Sequence, residues 1–133
     1  MRQAAALPYR HADGPGGQVE VLLVTTISGR WIIPKGDIDD GLEPHRAAEK
    51  EAFEEGGVKG RIARRSIGSF QTYKQQDGAE IPVEVDVFPL EVAEELEDWP
   101  EKEQRQRRWL RPDEAAACVD EAQLASLVTD FAP

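Results

Sequence analysis

The sequence predicts a mixed α/β (α+β) fold, in which a mixed β-sheet lies between helices. Three observations support this prediction: apolar runs with a two-residue period, segments with helical start and stop signals, and turn residues between them. The chain has 133 residues, of which 40% are hydrophobic. This size and composition are typical of one globular domain, and we expect that domain to span residues 1–133.

Six segments carry the strand pattern. The clearest runs from Ile81 to Leu90, where valines alternate with acidic residues between Val83 and Val87. Just before it, Asp77-Gly78 is a strong turn signal, which predicts a hairpin with the preceding strand. The predicted strands are Gln3–Arg10, Val19–Thr26, Trp31–Ile33, Arg61–Tyr73, Ile81–Leu90 and Arg105–Leu110.

Three helices are expected between and after these strands. The first begins at Pro44, with Glu43 near its N-cap, and ends at Gly56-Gly57. The second begins at Pro112-Asp-Glu, and the last runs from Glu121 to Phe131.

The first helix carries three carboxylates on one face. Glu51, Glu54 and Glu55 recur at i, i+3 and i+4, so their like charges repel one another within about one turn. Most acidic helix faces are simply solvated. Here the glycines around the helix and the Pro34–Gly36 turn before it favour a hard divalent cation held by oxygen ligands. A loop carbonyl from Gly36 could reach the same ion.

The segment from Gly36 to Val58 resembles the Nudix box, a glycine followed at fixed distance by Arg-Glu-apolar-x-Glu-Glu-x-Gly-apolar. Two positions depart from that pattern. Lys50 stands where the family has arginine, so a fork-shaped contact becomes a point charge. Leu42 stands where the family has an earlier glutamate, with Glu43 one residue later.

The resemblance extends over roughly residues 2 to 118. Over these residues the chain is similar to the diphosphoinositol polyphosphate phosphohydrolase branch of the family. One difference is that the branch's Gly-Gly-Gly after its proline is Lys35-Gly36-Asp37 in this chain. That difference could alter the phosphate pocket. The flanking segments that carry the resemblance are Val19-Glu-Val-Leu-Leu-Val24, Arg30-Trp31, Val58-Lys-Gly60, Leu96-Glu-Asp-Trp99 and Arg105-Gln-Arg-Arg-Trp109.

The resemblance implies an α/β/α sandwich and a role for each residue of the box. Glu51, Glu55 and the carbonyl of Gly36 would bind Mg²⁺, with Mn²⁺ as the alternative. Glu54 would be the general base or a further ligand, and Lys50 would orient one of the glutamates. The sequence does not divide the work among the three carboxylates, because such crowded groups titrate as a coupled set.

The implied reaction is hydrolysis of a phosphoanhydride, since a divalent ion neutralises phosphate charge and a carboxylate takes the proton from water. The first predicted substrate is a diphosphoinositol polyphosphate or a similar polyphosphorylated small molecule. The alternatives are a dinucleoside polyphosphate or nucleotide pyrophosphatase, and a non-catalytic Nudix-fold binding module, against which the intact glutamates weigh. The predicted phosphate contacts are Arg2, Lys35, Arg105 and Arg107.

Charge and composition limit the kinds of partner that we expect for this chain. A formal net charge of −10 argues against binding to duplex nucleic acid, which needs a basic surface. No apolar run approaches the roughly 18 residues of a membrane span. Cys118 is the only cysteine, which fits a reducing cytoplasm, and we expect its side chain to be buried packing. We therefore expect a cytoplasmic enzyme without membrane partners, either monomer or homodimer.

Overall fold

A computed structural model describes residues 2–14 and 16–133. Within those residues, eight strands and three helices form. In chain order they are β1 (Arg2–His11), β2 (Val19–Thr25), β3 (Trp31–Ile32), β4 (Lys35–Asp37), α1 (Pro44–Gly56), β5 (Val58–Ile62), β6 (Gly68–Gln76), β7 (Ala79–Glu95), β8 (Arg107–Leu110), α2 (Pro112–Cys118) and α3 (Ala122–Asp130).

The strands form one mixed sheet, as predicted. The central strand β1 runs parallel to β7, in a register that pairs Arg2 with Glu84 and Tyr9 with Glu91. The path through the sheet is β3-β2-β1-β7-β5, with β4 paired to β1, β6 to β7 and β8 to β2. Because β4 pairs with the first residues of β1, the loop before α1 is fixed at the middle of the sheet.

Alternate residues of β1 face opposite sides of the sheet, so each face has its own apolar core. On one face, Ala4 and Ala6 pack with Ala47, Ala48 and Ala52 of α1. Short side chains on both surfaces let the helix approach the sheet closely. Helix α1, which carries the three glutamates, thus packs directly on the central strand β1.

The opposite face is covered by α2 and α3. Leu7 of β1 and Val85 of β7 pack there with Phe70, Leu124 and Val128, all of them buried. Burial of each of these side chains stabilises the folded state by about 1.5–3 kcal/mol. The predicted sheet between helices on both faces is therefore confirmed.

Both ends of α1 lie where the sequence places them. Glu43 is the N-cap residue and Pro44 occupies the first turn. Gly57 is the C-cap residue in a left-handed conformation with φ of 65°, and its N–H donates to the carbonyl of Phe53.

The predicted turn at Asp77-Gly78 is also confirmed. Both residues have positive φ angles, 51° and 79°, and Gln76 pairs with Ala79 across the hairpin. This backbone twist matches the twist of the flanking strands.

The prediction of one strand from Arg61 to Tyr73 is wrong. The segment is two strands, β5 and β6, which pair end to end with the single long strand β7. The residues between them, 63–67, include the exposed polar run Arg64 to Ser66, which has no apolar side chains to bury. Gly68, with φ of 147°, then starts β6.

The prediction that Cys118 is buried is also wrong, because its thiol is exposed. The buried positions of this region are Ala115 and Val119, four residues apart, so Cys118 lies outside the inward-facing positions. Among the described residues, no helix has the length and apolar character needed to cross a bilayer.

Candidate active site

The last two turns of α1 bring Glu51 and Glu55 against β4. The backbone N–H of Lys35 donates to Oε1 of Glu55, at 3.3 Å. The sheet therefore contributes a hydrogen bond to a carboxylate on the helix. This contact exists because β4 is pinned to β1 and α1 packs on that same strand.

Gly36 leaves space for the second carboxylate. A Cβ atom at position 36 would lie 2.5 Å from Cδ of Glu51 and 2.7 Å from each of its oxygens. Only glycine permits this approach without moving Glu51. The glycine that opens the box is thus explained by contact with the first of its three glutamates.

Burial dominates the electrostatics of the pair. Glu55 is only 5% exposed, and burial raises its pKa to about 8. Burial also raises the pKa of Glu51, and the Glu54 carboxylate adds to that effect. The cation nearest to Glu55 is Arg105, whose Nη2 lies 3.4 Å from Oε2. The two carboxylates therefore do not ionise together easily unless further positive charge arrives.

Glu54 has a different environment. Its side chain is 33% exposed, and its Oε2 lies 4.0 Å from Nζ of Lys50. Nζ of Lys50 also lies 2.6 Å from Oδ2 of Asp39, in the loop before the helix. Lys50 thus links that loop to Glu54, and Glu54 keeps access to solvent water.

The donor set fits a hard divalent cation. Carboxylates of Glu51 and Glu55 with the carbonyl of Gly36 are the oxygen ligands that Mg²⁺ prefers. Among residues 2–14 and 16–133, no three His, Cys, Asp or Glu side chains already form a ready metal cluster. Two close carboxylates with raised pKa values are still suited to binding a divalent cation, because the cation can replace the proton that they otherwise retain.

Two of the four predicted phosphate contacts lie beside this pair. Nζ of Lys35 donates to Oε1 of Gln3 at 2.9 Å, and burial lowers the pKa of Lys35. Arg105 contacts Glu55, but Nη1 also donates to the carbonyl of Thr25 and Nε donates to Glu101.

The other two are engaged elsewhere. Arg2 forms ion pairs with Glu84, at 3.3 Å, and with Asp86, and it lines a cavity of about 460 Å³ away from the box helix. Arg107 donates to the carbonyls of Gly56 and Leu96. The prediction that Arg107 contacts phosphate has no support in this arrangement, because its N–H groups are already used inside the protein.

In the segment between β7 and β8, which contacts the end of α1, the sequence predicted a site role for Arg105 alone. Glu101 forms an ion pair with Arg105 at 2.8 Å, and Nε1 of Trp99 donates to the carbonyl of Glu55. The signal that marks this segment in the sequence is the resemblance of two stretches, Leu96–Trp99 and Arg105–Trp109, to the same branch of the family.

A second cavity, of about 330 Å³, borders Arg105. It combines aromatic, aliphatic, amide and acidic side chains, and its lining residue Arg105 contacts Glu55. Its lining residues are Thr25, Thr26, Ile27, Gly29, Trp31, Glu103, Gln104, Arg105 and Gln106.

Comparison with known proteins identifies the family. A family profile described as the NUDIX domain matches residues 2–131. Because it covers nearly the whole chain, the chain belongs to the Nudix family, and the family inferred from the box is confirmed.

Two relatives are similar to most of this chain. Nudix hydrolase 21, chloroplastic, of Arabidopsis thaliana is 40% identical over 113 residues, 82% of this chain and 54% of the relative. Diphosphoinositol polyphosphate phosphohydrolase 3-beta of Bos taurus is 39% identical over 118 residues, 86% of this chain and 66% of the relative. The chain thus spans about half to two thirds of these relatives' length.

Solved structures support the fold. An Ap4A hydrolase binary complex from C. elegans has a TM-score of 0.69 at 22% identity, covering 96% of this chain and 92% of that one. The MutT protein from Bacillus halodurans has a TM-score of 0.67 at 19% identity, covering 96% and 79%.

Proposed function

We propose that this chain hydrolyses the phosphoanhydride bond of a polyphosphorylated small molecule with a divalent metal ion, Mg²⁺ or alternatively Mn²⁺. The observation that carries the proposal is the buried pair Glu51 and Glu55 beside Gly36. A buried pair of like charges is costly without a cation. When bound, such an ion neutralises phosphate charge and favours attack by water.

The chain's own residues divide the remaining work. Glu51, Glu55 and the Gly36 carbonyl hold the ion, while the more exposed Glu54 takes the proton from the attacking water. The water oxygen forms a new bond to one phosphorus as the P–O bond from that phosphorus to the bridging oxygen breaks. The bridging oxygen leaves with the other phosphate group. Lys50 orients Glu54, to which it lies within 4.0 Å.

Phosphate binding falls to Lys35 in this proposal. Its backbone N–H already contacts Glu55, so the chain passes close to the reacting group. Its partly desolvated ammonium interacts more strongly with an anion than a fully exposed lysine does. Arg2 and Arg105 remain proposed contacts for outlying phosphates, although each must exchange a present partner for phosphate.

The first proposed substrate class is the diphosphoinositol polyphosphates. The similarity to a bovine protein of that name supports it, at 39% identity. A substrate so rich in phosphate needs several cations, and it would have to compete with the carboxylates that hold them now.

The second class is the dinucleoside polyphosphates and nucleotides, and two observations favour it. The 330 Å³ cavity beside Arg105 contains Trp31 and the amides of Gln104 and Gln106, which suit a base. Cations near the site are already paired, as Lys74 is with Asp37 at 2.7 Å, so less positive charge is free for many phosphates.

A non-catalytic binding module is the alternative from another class. The three box glutamates are all present and close to one another, which weighs against it. We also propose one domain over residues 1–133 and a cytoplasmic location, in a monomer or homodimer. The names of some relatives place those proteins in mitochondria or chloroplasts.

Phosphate release tests the proposal. The purified chain is assayed with Mg²⁺ against diphosphoinositol polyphosphates, dinucleoside polyphosphates, nucleoside triphosphates and nucleotide sugars. Turnover that requires the metal supports the enzyme, and the rank of kcat/KM selects the substrate class. Metal binding without turnover on any member favours the binding module.

A further inference from the structure

The segment from Leu96 to Arg107, which runs from the end of β7 to the first residue of β8, packs on the C-terminal end of α1. A helix leaves its last four carbonyls without partners inside the helix. The last three carbonyls of α1 and the carbonyl of its C-cap residue each accept a hydrogen bond from this segment. The pairs are Glu101 N–H to Glu54 O at 3.0 Å, Trp99 Nε1–H to Glu55 O at 3.0 Å, Arg107 Nη1–H to Gly56 O at 3.0 Å, and Leu96 N–H to Gly57 O at 2.8 Å.

Trp99 and Arg107 form the centre of this contact. The guanidinium carbon of Arg107 lies 3.9 Å from the centroid of the Trp99 ring. Nη2 of Arg107 also donates to the carbonyl of Leu96, so the arginine ties the segment to itself and to the helix. A Cβ at Gly57 would lie 2.6 Å from Nη1 of Arg107 and 2.7 Å from Cδ2 of Trp99, so the packing needs glycine there.

The same segment also reaches the Glu55 carboxylate. Nη2 of Arg105 lies 3.4 Å from Oε2 of Glu55 and 2.8 Å from Oε1 of Glu101. Glu55 is therefore held at its backbone carbonyl by Trp99 and at its carboxylate by Arg105. Glu54 is held at its carbonyl by Glu101.

We propose that Trp99 and Arg107 are positioning residues for the reaction, because they fix the helix turn that carries Glu54 and Glu55. This inference rests on the proposed function of those glutamates. Catalytic groups must be held within about 0.5 Å of their productive positions. An unmet carbonyl at Glu55 would let the last turn shift, and both carboxylates would move with it.

Trp99→Phe tests the inference, since it removes the N–H donor and keeps a ring for Arg107. Trp109→Phe is the matched control, because the indole of Trp109 donates to the side chain of Glu95, which it shares with Arg107, and to no carbonyl of the helix. We expect Trp99→Phe to lower kcat about tenfold, a loss of the size expected for one part-buried hydrogen bond, with little change in KM. We expect the control to keep the wild-type kcat.

A readout without substrate accompanies the kinetics. Mn²⁺ binding, measured by electron paramagnetic resonance, should weaken in Trp99→Phe and stay unchanged in Trp109→Phe. Arg107→Lys provides a second variant, with exposed Arg108→Lys as its control, in case Trp99→Phe does not fold. Lysine cannot reproduce the forked contact with two carbonyls, so we expect the same loss of kcat and Mn²⁺ affinity.

The outcomes separate this inference from the proposed function. A wild-type protein that hydrolyses its substrate, with Trp99→Phe and Arg107→Lys matching their controls in kcat and Mn²⁺ affinity, overturns the positioning role alone. A wild-type protein without turnover on any substrate overturns the proposed function, and weaker Mn²⁺ binding in the two variants would then still support the placement of Glu55.

Discussion

The carboxylate of Glu51 fills the space that a side chain at Gly36 would otherwise occupy. Its Cδ lies 2.5 Å from the position of a Cβ on residue 36. The contact joins the first residue of the box to its helix, since Gly36 lies on β4 and Glu51 on α1. It also means that the identity of residue 36 controls the position of a proposed metal ligand.

Gly36→Ala should therefore lower activity more than stability. The added methyl group meets the flexible end of Glu51, which can swing away at little cost in folding free energy. Swinging away removes the ligand from the site, so we expect loss of metal-dependent turnover and weaker Mn²⁺ binding. The measurements are phosphate release and urea unfolding.

Gly16→Ala is the control for this substitution. Gly16 has φ of 82° and open space around its Cβ direction, so alanine there meets no neighbour but is strained. We expect a loss of about 1–2 kcal/mol in unfolding free energy with full turnover. A Gly36→Ala enzyme that keeps wild-type turnover would contradict the proposed role of Glu51.

Glu54→Gln should separate chemistry from metal binding. The amide cannot take a proton from water, so we expect kcat to fall by roughly 10²–10⁴-fold. Mn²⁺ affinity should fall much less, because Glu51 and Glu55 remain. Half-buried Glu49→Gln on the same helix, whose carboxylate pairs with Arg46, is the matched control and should leave both quantities unchanged. Equal losses of kcat and affinity would make Glu54 a ligand instead of the base.

The stability of the metal-free protein should fall as the pH rises from about 4.5 to about 8. Burial raises the pKa of Glu55 from its ordinary 4.5 to about 8, so the folded state keeps a proton that the unfolded chain releases. This stabilisation is complete below the unfolded pKa and is lost as the pH passes the folded pKa. The slope from one such group is at most about 1.4 kcal/mol per pH unit.

Urea unfolding at several pH values measures this slope. Glu55→Gln cannot titrate, so its slope should be smaller than that of the wild type over the same range. Saturating Mg²⁺ should restore wild-type stability near pH 8, where the carboxylate is ionised and ready to bind. Identical slopes in the wild type and the variant would contradict the buried position of Glu55.

Trp31→Leu should distinguish the two substrate classes. Stacking of a base on an aromatic ring is worth about 1–3 kcal/mol, so we expect KM for dinucleoside polyphosphates to rise about tenfold or more. KM for diphosphoinositol polyphosphates, which have no base, should stay unchanged. Trp109→Leu, outside the cavity, is the control. An equal effect on both classes would mean that Trp31 acts only through packing.

The sequence was sufficient for the features that depend on local chemistry. Pro44 and Gly57 mark the ends of α1, and Asp77-Gly78 marks the hairpin, because each position needs a backbone conformation that few residues adopt. The spacing of the glutamates likewise placed them on one helix face, since the helical period is fixed.

Features that depend on distant pairing were not accessible in this way. The prediction of a turn at Pro34–Gly36 is wrong for its last two residues, because Lys35–Asp37 is a strand that pairs with the first residues of β1. The break between β5 and β6 follows from their shared partner β7. The hydrogen bonds from Arg107 to the carbonyls of Gly56 and Leu96 also join residues far apart in the chain. The sequence shows only the charge of Arg107, and that charge suggested a phosphate contact.

We expect Glu51 and Glu55 to hold a divalent ion together. The measurement is an Mn²⁺ titration followed by electron paramagnetic resonance, on the wild type, Glu51→Gln and the control Glu49→Gln. The wild type and Glu49→Gln should bind Mn²⁺ saturably, and Glu51→Gln should bind it about tenfold more weakly or worse. Equal affinity in all three proteins would overturn the shared metal site.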